Sequence, residues 1–249
     1  MTTVTVIKVG GRAQNDPELV LALAERWRRE PGTLCVVHGG GDEVSALQRL
    51  AGVEPVFVGG RRVTAPEDID RLRMGLSGLA NKRLVASLVA TGIDAVGLSG
   101  EDAALLVADV ADNGALGAVG AVRAVRTTLL KHLFRGGYLP VVSPVATPAL
   151  NVNGDDAAAA IAIALGADGL LFISDVPAVR VQGMSVTRLD RTEAAAADIV
   201  GGMAAKVQAG FAAVAAGVPR VWIGDLNLLG ESPAGTRLVA SGIAVGVHS

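Results

Sequence analysis

Six short runs rich in Val, Ile and Leu recur along the chain: VTVIKV at 4–9, TLCVVH at 33–38, IDAVGLS at 93–99, YLPVVSP at 138–144, GLLFISDV at 169–176 and RVWIGDL at 220–226. Each has the length of one strand, and most lack the polar alternation of a strand with one wet face. Helix-length segments separate them. One runs from Pro17 to about Arg29, and DEVSALQRLA is closed by Gly52. Another runs from Pro66 to about Thr91 and ends at Gly92; later ones cover 127–136, the Ala-rich run ending near Gly166, and about 201–216. Buried strands alternating with helices predict an α/β fold, a three-layer αβα sandwich around a mostly parallel central sheet. One region breaks the alternation. ALLVADV and ALGAVGAVRAV flank Asp112-Asn113-Gly114, which predicts an antiparallel hairpin at the rim of the sheet.

The chain has 249 residues, 51% of them hydrophobic, enough for one large core or two lobes sharing one. The expected division falls near Gly166, giving lobes 1–165 and 166–249. No apolar run reaches the length of a membrane span, and MTTVTVIKVGG lacks the basic region and long apolar core of a signal peptide, so a cytoplasmic protein is expected. A net charge of −2 and 3% aromatic residues argue against a nucleic-acid partner. Cys35, the single cysteine, lies in an apolar strand and reads as core. His38, His132 and His248 are scattered, and no His/Cys group has the spacing of a zinc site.

Three strands end in glycine, in KVGG, VHGGG and GLSG. One Gly-Gly is a tight turn. Three at the carboxyl ends of strands in a parallel sheet point to an anion site, because glycine lets several backbone N–H groups approach one ligand. GxxxxGK[ST], GxGxxG and GxSxG are all absent. Lys8 lies inside an apolar strand, where its charge is costly unless used. Lys206 follows Gly202-Met203 near a helix start, where a surface salt bridge is the plain alternative. In NVNGDDAAAAIAIALGAD, Asn151, Asn153, Asp155 and Asp156 crowd the mouth of an apolar helix; a helix cap and polar loop explain one or two of them.

Taken together, KVGG, VHGGG, GRRVT, GLSG, NVNGDDAA, ISDV, GGMAAK and GTRL resemble the amino acid kinase family, and most closely its acetylglutamate kinase branch. The resemblance spans nearly the whole chain. It implies an amino acid kinase-like αβα sandwich, a homodimer or an assembly of dimers, with the phosphoryl acceptor in the N-terminal lobe and ATP in the C-terminal lobe. It implies catalytic roles for Lys8, Lys206 and Asp155. Gly40, Gly41, Arg62, Asn151 and Asn153 would bind the acyl amino acid. Gly10, Gly11, Ser174, Asp175 and Lys206 would bind nucleotide. Mg²⁺ would be held mainly by the ATP phosphates.

The implied reaction is transfer of the terminal phosphoryl of ATP to the side-chain carboxylate of N-acetyl-L-glutamate, in arginine biosynthesis. A carboxylate acceptor needs no general base, only neutralisation of spreading charge. Two lysines repel each other, and Asp155 can hold both. Two rivals stand beside this reading. One is a kinase for another blocked dicarboxylic acid, N-succinylglutamate or aminoadipate on an acidic carrier protein, which the extra Arg61 would suit. The other is a relative that binds an acyl amino acid without catalysis. Departures from the family pattern are Val176-Pro177-Ala178-Val179 after ISD, where a glycine turn is expected, and Ala103 in GLSGEDA, where glycine is common. The chain starts almost on its first strand, so arginine feedback through an N-terminal helix is not expected.

Overall fold

The structure, a computed structural model, describes residues 3–10 and 16–241. The first part of the chain gives β1 (Thr5–Val9), α1 (Pro17–Arg29), β2 (Leu34–His38), α2 (Gly41–Leu50), β3 (Phe57–Val58) and β4 (Arg61–Arg62). A long helical run follows. It comprises a 3₁₀ turn (Pro66–Asp68), α3 (Ile69–Leu72), a π-helical stretch (Arg73–Ala80) and α4 (Asn81–Ala90). Then come β5 (Ala95–Gly100), β6 (Leu106–Val110), β7 (Val119–Val125), α5 (Thr128–Arg135), β8 (Leu139–Ala146), β9 (Leu150–Val152) and α6 (Gly154–Leu165). The remainder holds β10 (Gly169–Ile173), β11 (Arg180–Val181), β12 (Met184–Ser185), β13 (Arg188–Asp190), α7 (Arg191–Ala196), α8 (Gly201–Ala215), β14 (Arg220–Gly224) and β15 (Thr236–Val239).

Among the described residues, eleven strands form one sheet in the order β13-β15-β14-β10-β1-β2-β8-β9-β7-β6, with β5 also on β8. The pairs among β14, β10, β1, β2, β8 and β5 are all parallel. β6 and β7 pair antiparallel around Asp112-Asn113-Gly114, so the expected hairpin is present at the rim. β1 is the centre. It is in full register with β2 on one side and β10 on the other, so one sheet runs unbroken across the expected lobe boundary.

Side-chain parity sorts the core into two layers. Val6, Cys35, Val37, Leu170 and Phe172 pack with Ala157, Ile161 and Phe211 of α6 and α8. Ile7, Val9, Leu34, Val36, Leu171 and Ile173 pack with Leu19, Leu23 and Trp27 of α1 and Leu84 and Leu88 of α4. Because strand side chains alternate with period two, Lys8 must share the face of Val6, the one covered by α6 and α8. Cys35 is fully buried there, and burial pushes its thiol up to about 12, far from a reactive thiolate.

Two sequence expectations are revised. The segment from Pro66 to Thr91 is helical but not of one period. Its middle widens into the π stretch where Gly75 packs on α2, a Cβ there falling 2.9 Å from Val44 Cγ2. The glycine ending GLSG is a packing position: a Cβ on Gly100 would meet the Val145 carbonyl oxygen at 2.5 Å and Leu106 Cδ1 at 2.6 Å. Only the first two glycine-ended strands therefore stay candidates for an anion site.

Candidate active site

The polar stretch ahead of α6 divides its work among four side chains. Asn153 is the N-cap, its Oδ1 accepting from the N–H groups of Asp155 (2.8 Å) and Asp156 (3.4 Å). Asn151 donates to Thr64 Oγ1 at 2.8 Å. Asp156 pairs with Arg61 at 2.7 Å. Asp155, one residue into the first turn, points at the sheet. Its Oδ1 is 2.9 Å from Lys8 Nζ and its Oδ2 is 3.3 Å from Lys206 Nζ. One buried carboxylate thus stands between two mostly buried ammonium groups, leaving one unit of positive charge in excess. Lys206 loses basicity mainly through burial and secondarily through Lys8, while Asp155 and Asp175 oppose that loss.

A cavity of about 150 Å³ opens beside this trio. Gly40, Gly41, Arg62, Asn151 and Asn153 all line it, as does Phe57. Gly154 links cavity and trio, since it lines the cavity and its Cα faces the Lys8 side chain, a Cβ there falling 3.3 Å from Lys8 Cε. Gly40 turns the chain from β2 into α2 at φ +155°, and a Cβ would lie 2.7 Å from Leu76 Cδ2, so glycine alone fits. The N-cap residues of α2 and α8, Gly40 and Val200, supply no side-chain cap, and the orphan N–H groups and dipoles of these helix starts suit an anion. Gly10 ends β1 and donates to the Ile173 carbonyl at 3.2 Å; Gly11 lies outside the described residues.

Ser174 and Asp175 sit apart from the cavity at the carboxyl end of β10, with Ser174 Oγ 3.1 Å from Asp175 Oδ1. In the departure that follows, Val179 is fully buried and its N–H donates to Thr236 Oγ1 at 2.8 Å, so that turn is tied to β15. Among the described residues no group of three His, Cys, Asp or Glu side chains is arranged to hold a metal ion.

Several residues of the site escape sequence reading. Arg62 is not a free clamp. Its Nη2 donates to the Gly41 carbonyl and to Ser45 Oγ, both at 2.7 Å, and its Nη1 donates to Gln48 Oε1. Its guanidinium lies 4.7 Å from the Phe57 ring centre. Behind the Gly39–Gly41 turn, fully buried His38 meets Asn81 Nδ2 at 3.0 Å through Nε2. An amide nitrogen only donates, so Nε2 accepts and Nδ1 carries the proton given to the Gly39 carbonyl. Burial lowers His38 to about 4, which keeps the ring neutral. The hairpin of β3 and β4 turns through Gly59 and Gly60, both left-handed at φ +56° and +78°. Its tip approaches the start of α8, a Cβ on Gly60 falling 3.3 Å from the Gly201 carbonyl. Nothing in one sequence marks these partners, because each pair is joined only by the fold.

Comparison with known proteins agrees with this architecture. The acetylglutamate kinase of Chloroflexus aurantiacus is 42% identical over 250 residues, covering 95% of this chain and 97% of the relative. That of Geobacillus kaustophilus is 39% identical over 232 residues, 90% of each chain. Among solved structures, carbamate kinase from Giardia lamblia bound to AMP-PNP shares the fold at a TM-score of 0.74 and 15% identity, over 96% of this chain and 99% of that one. N-acetylglutamate synthase from Neisseria gonorrhoeae shares it at 0.80 and 21% identity, over 96% of this chain and 59% of the other. The model of the amino acid kinase family matches residues 3–225. This chain belongs to the amino acid kinase family.

Proposed function

We propose that the chain is an ATP-dependent kinase of N-acetyl-L-glutamate acting in arginine biosynthesis. The observation that carries this is the Lys8–Asp155–Lys206 trio set against a cavity lined by Arg62, Asn151 and the Gly40–Gly41 turn. Relatives about 40% identical over nearly the whole chain bear the name acetylglutamate kinase, which supports the acceptor. The side-chain carboxylate attacks the terminal phosphorus of ATP, a new acyl O–P bond forms, and the bond to the ADP oxygen breaks. The acceptor is already ionised, so no proton moves. Lys8 and Lys206 neutralise charge as it spreads over the transferring group, and Asp155 holds the two ammonium groups in place. Backbone N–H groups of the first two glycine-ended strands would cradle the phosphoryl, and Mg²⁺ carried on the ATP phosphates would screen their charge.

In this reading residues 1–165 bind the acyl amino acid and form a homodimer, and residues 166–249, with Ser174 and Asp175, border the nucleotide. The enzyme works in the cytoplasm. A carrier-bound acceptor is disfavoured by one contact: Arg61, the residue that would suit an acidic carrier, is already paired with Asp156.

The test traps acyl phosphate with hydroxylamine in the presence of ATP-Mg²⁺, comparing N-acetylglutamate with N-succinylglutamate, free glutamate and N-acetylaminoadipate. Selective turnover of N-acetylglutamate is expected. Turnover of only another acid would overturn the acceptor assignment, and no turnover of any by folded protein would overturn a small acyl amino acid as acceptor, leaving a carrier-bound acceptor or binding without catalysis.

A further inference from the structure

We infer that Gln48, Ser45 and Asp68 form a positioning relay that fixes the Arg62 guanidinium for the acceptor's α-carboxylate. This rests on the proposed function and adds residues to it. The hairpin that carries Arg62 is a ladder of two residue pairs, Phe57 with Arg62 and Val58 with Arg61, and an isolated hairpin of that size does not hold its own shape. Phe57 and Val58 are more than half exposed, yet Arg62 is only 8% exposed. Its order therefore comes from outside the hairpin.

The source is a closed chain of buried polar groups. Arg62 Nη1 donates to Gln48 Oε1, and Gln48 Nε2 donates to Asp68 Oδ2 at 2.9 Å. Asp68 Oδ1 takes Arg71. With its oxygen facing a guanidinium and its nitrogen facing a carboxylate, the Gln48 amide has one orientation. Ser45 Oγ gives its proton to the Gly41 carbonyl at 2.7 Å and so can only accept from Arg62 Nη2. Gln48, Ser45 and Asp68 are each less than a tenth exposed, and none lines the cavity that Arg62 lines. Gln48 and Asp68 bear on that cavity through Arg62, and Ser45 does so through Arg62 and the Gly41 carbonyl.

Burying such a chain brings little stability over an apolar packing of equal volume. What it does bring is a guanidinium with both Nη2 hydrogens and one Nη1 hydrogen committed to protein. The Nε–H and the second Nη1 hydrogen lie on opposite edges of the plane, so an anion in the cavity can take either one, not the pair, together with the fixed positive charge. A donor set held this way favours a carboxylate over a neutral amide at the same place and removes the cost of ordering a long side chain on binding.

The experiment uses the full chain. Wild-type turnover of N-acetylglutamate is measured first, because its absence overturns the functional reading and not the relay. Gln48→Met is close in shape and carries no amide. It is expected to raise the acceptor KM about tenfold, with kcat and the ATP KM within about twofold. Preference for N-acetylglutamate over its α-amide should shrink in parallel. In an Arg62→Ala background the same substitution is expected to raise the acceptor KM no further. An unchanged acceptor KM in Gln48→Met, or a rise that persists undiminished without Arg62, overturns the relay. Ser45→Ala removes a single oxygen and decides the matter if Gln48→Met does not fold: about a threefold rise that vanishes without Arg62 supports the relay, and no rise overturns it.

Discussion

Replacing Asp155 by Asn keeps the shape of the side chain and removes the one negative charge between two ammonium groups. The consequence can be sized. Lys8 and Lys206 lie 2.9 and 3.3 Å from the carboxylate, with side chains 8% and 13% exposed. Stripping one partner from a buried ion pair costs about 3–5 kcal/mol. Lys206 can shed its proton and escape part of that, which places the expected loss near the low end, about 3 kcal/mol at pH 7. For a chain of this size each kcal/mol moves Tm by about 2–4 °C, so a fall of about 6–12 °C is expected. The pH dependence follows from linkage. Lys206 in the folded wild type already sits below its ordinary 10.5, with Asp155 among the groups holding it up. Without Asp155 it drops further, so over the interval between the two folded values the variant binds fewer protons than the wild type. Stability rises with pH wherever the unfolded chain holds more protons than the folded one. The variant therefore gains more on alkalinisation, and the gap in Tm narrows from pH 7 to pH 9.5. Thermal melts of both proteins across that range are the assay, with kcat against pH in parallel, where the alkaline limb of the variant moves to lower pH. An unchanged Tm, or a gap of constant size, would refute the reading of Asp155 as a shared counter-ion.

Three further substitutions or titrations probe the surroundings. Gly97→Ala would place a Cβ 2.0 Å from Asn81 Oδ1 and 2.7 Å from Lys82 Nζ; since Asn81 is fully buried with its amide nitrogen committed, a loss of about 1–3 kcal/mol or more is expected by thermal melting, and Asn81→Ser should recover part of it. Ala103 sits in the left-handed region at φ 52°, so Ala103→Gly is expected to stabilise by about 0.5–1 kcal/mol once glycine's greater unfolded freedom is subtracted, and a lower Tm would count against it. His38 is held at about 4 against an ordinary 6.5, so its contribution is complete above pH 6.5 and lost as pH falls through 4. The loss should reach about 3 kcal/mol, and nitrogen NMR at pH 6 should show a neutral ring protonated on Nδ1.

The sequence was most legible where one residue's surroundings follow from local pattern. The parity of VTVIKV places Lys8 on the face of Val6, and the charge of two lysines asks for a counter-ion that Asp155 supplies. α1 and α8 begin at the residues their patterns indicate, and the Asn-Gly hairpin lies at the rim. Illegible were features decided by packing between distant segments. GLSG looks like KVGG in sequence, yet Gly100 is small because Val145 and Leu106 crowd it. Arg61 and Arg62 are adjacent and chemically alike, but alternate faces of β4 send one to Asp156 and the other to Gln48. The short strands β13 and β15 find a sheet edge only after β14 exists, which no periodicity within three or four residues can announce.

The central position of β1 has a consequence for how the chain is made. Residues 5–9 leave the ribosome ahead of the other described strands and meet β2, at residues 34–38, soon after. Their other neighbour is β10, at residues 169–173. At ordinary elongation rates that partner appears on the order of ten seconds later, and until then one edge of a mostly apolar strand lacks its finished partner. The seam at the middle of the finished sheet stays open while most of the nascent chain is made, so holding that edge out of contact with other chains is a task for the cell before it is a task for the fold.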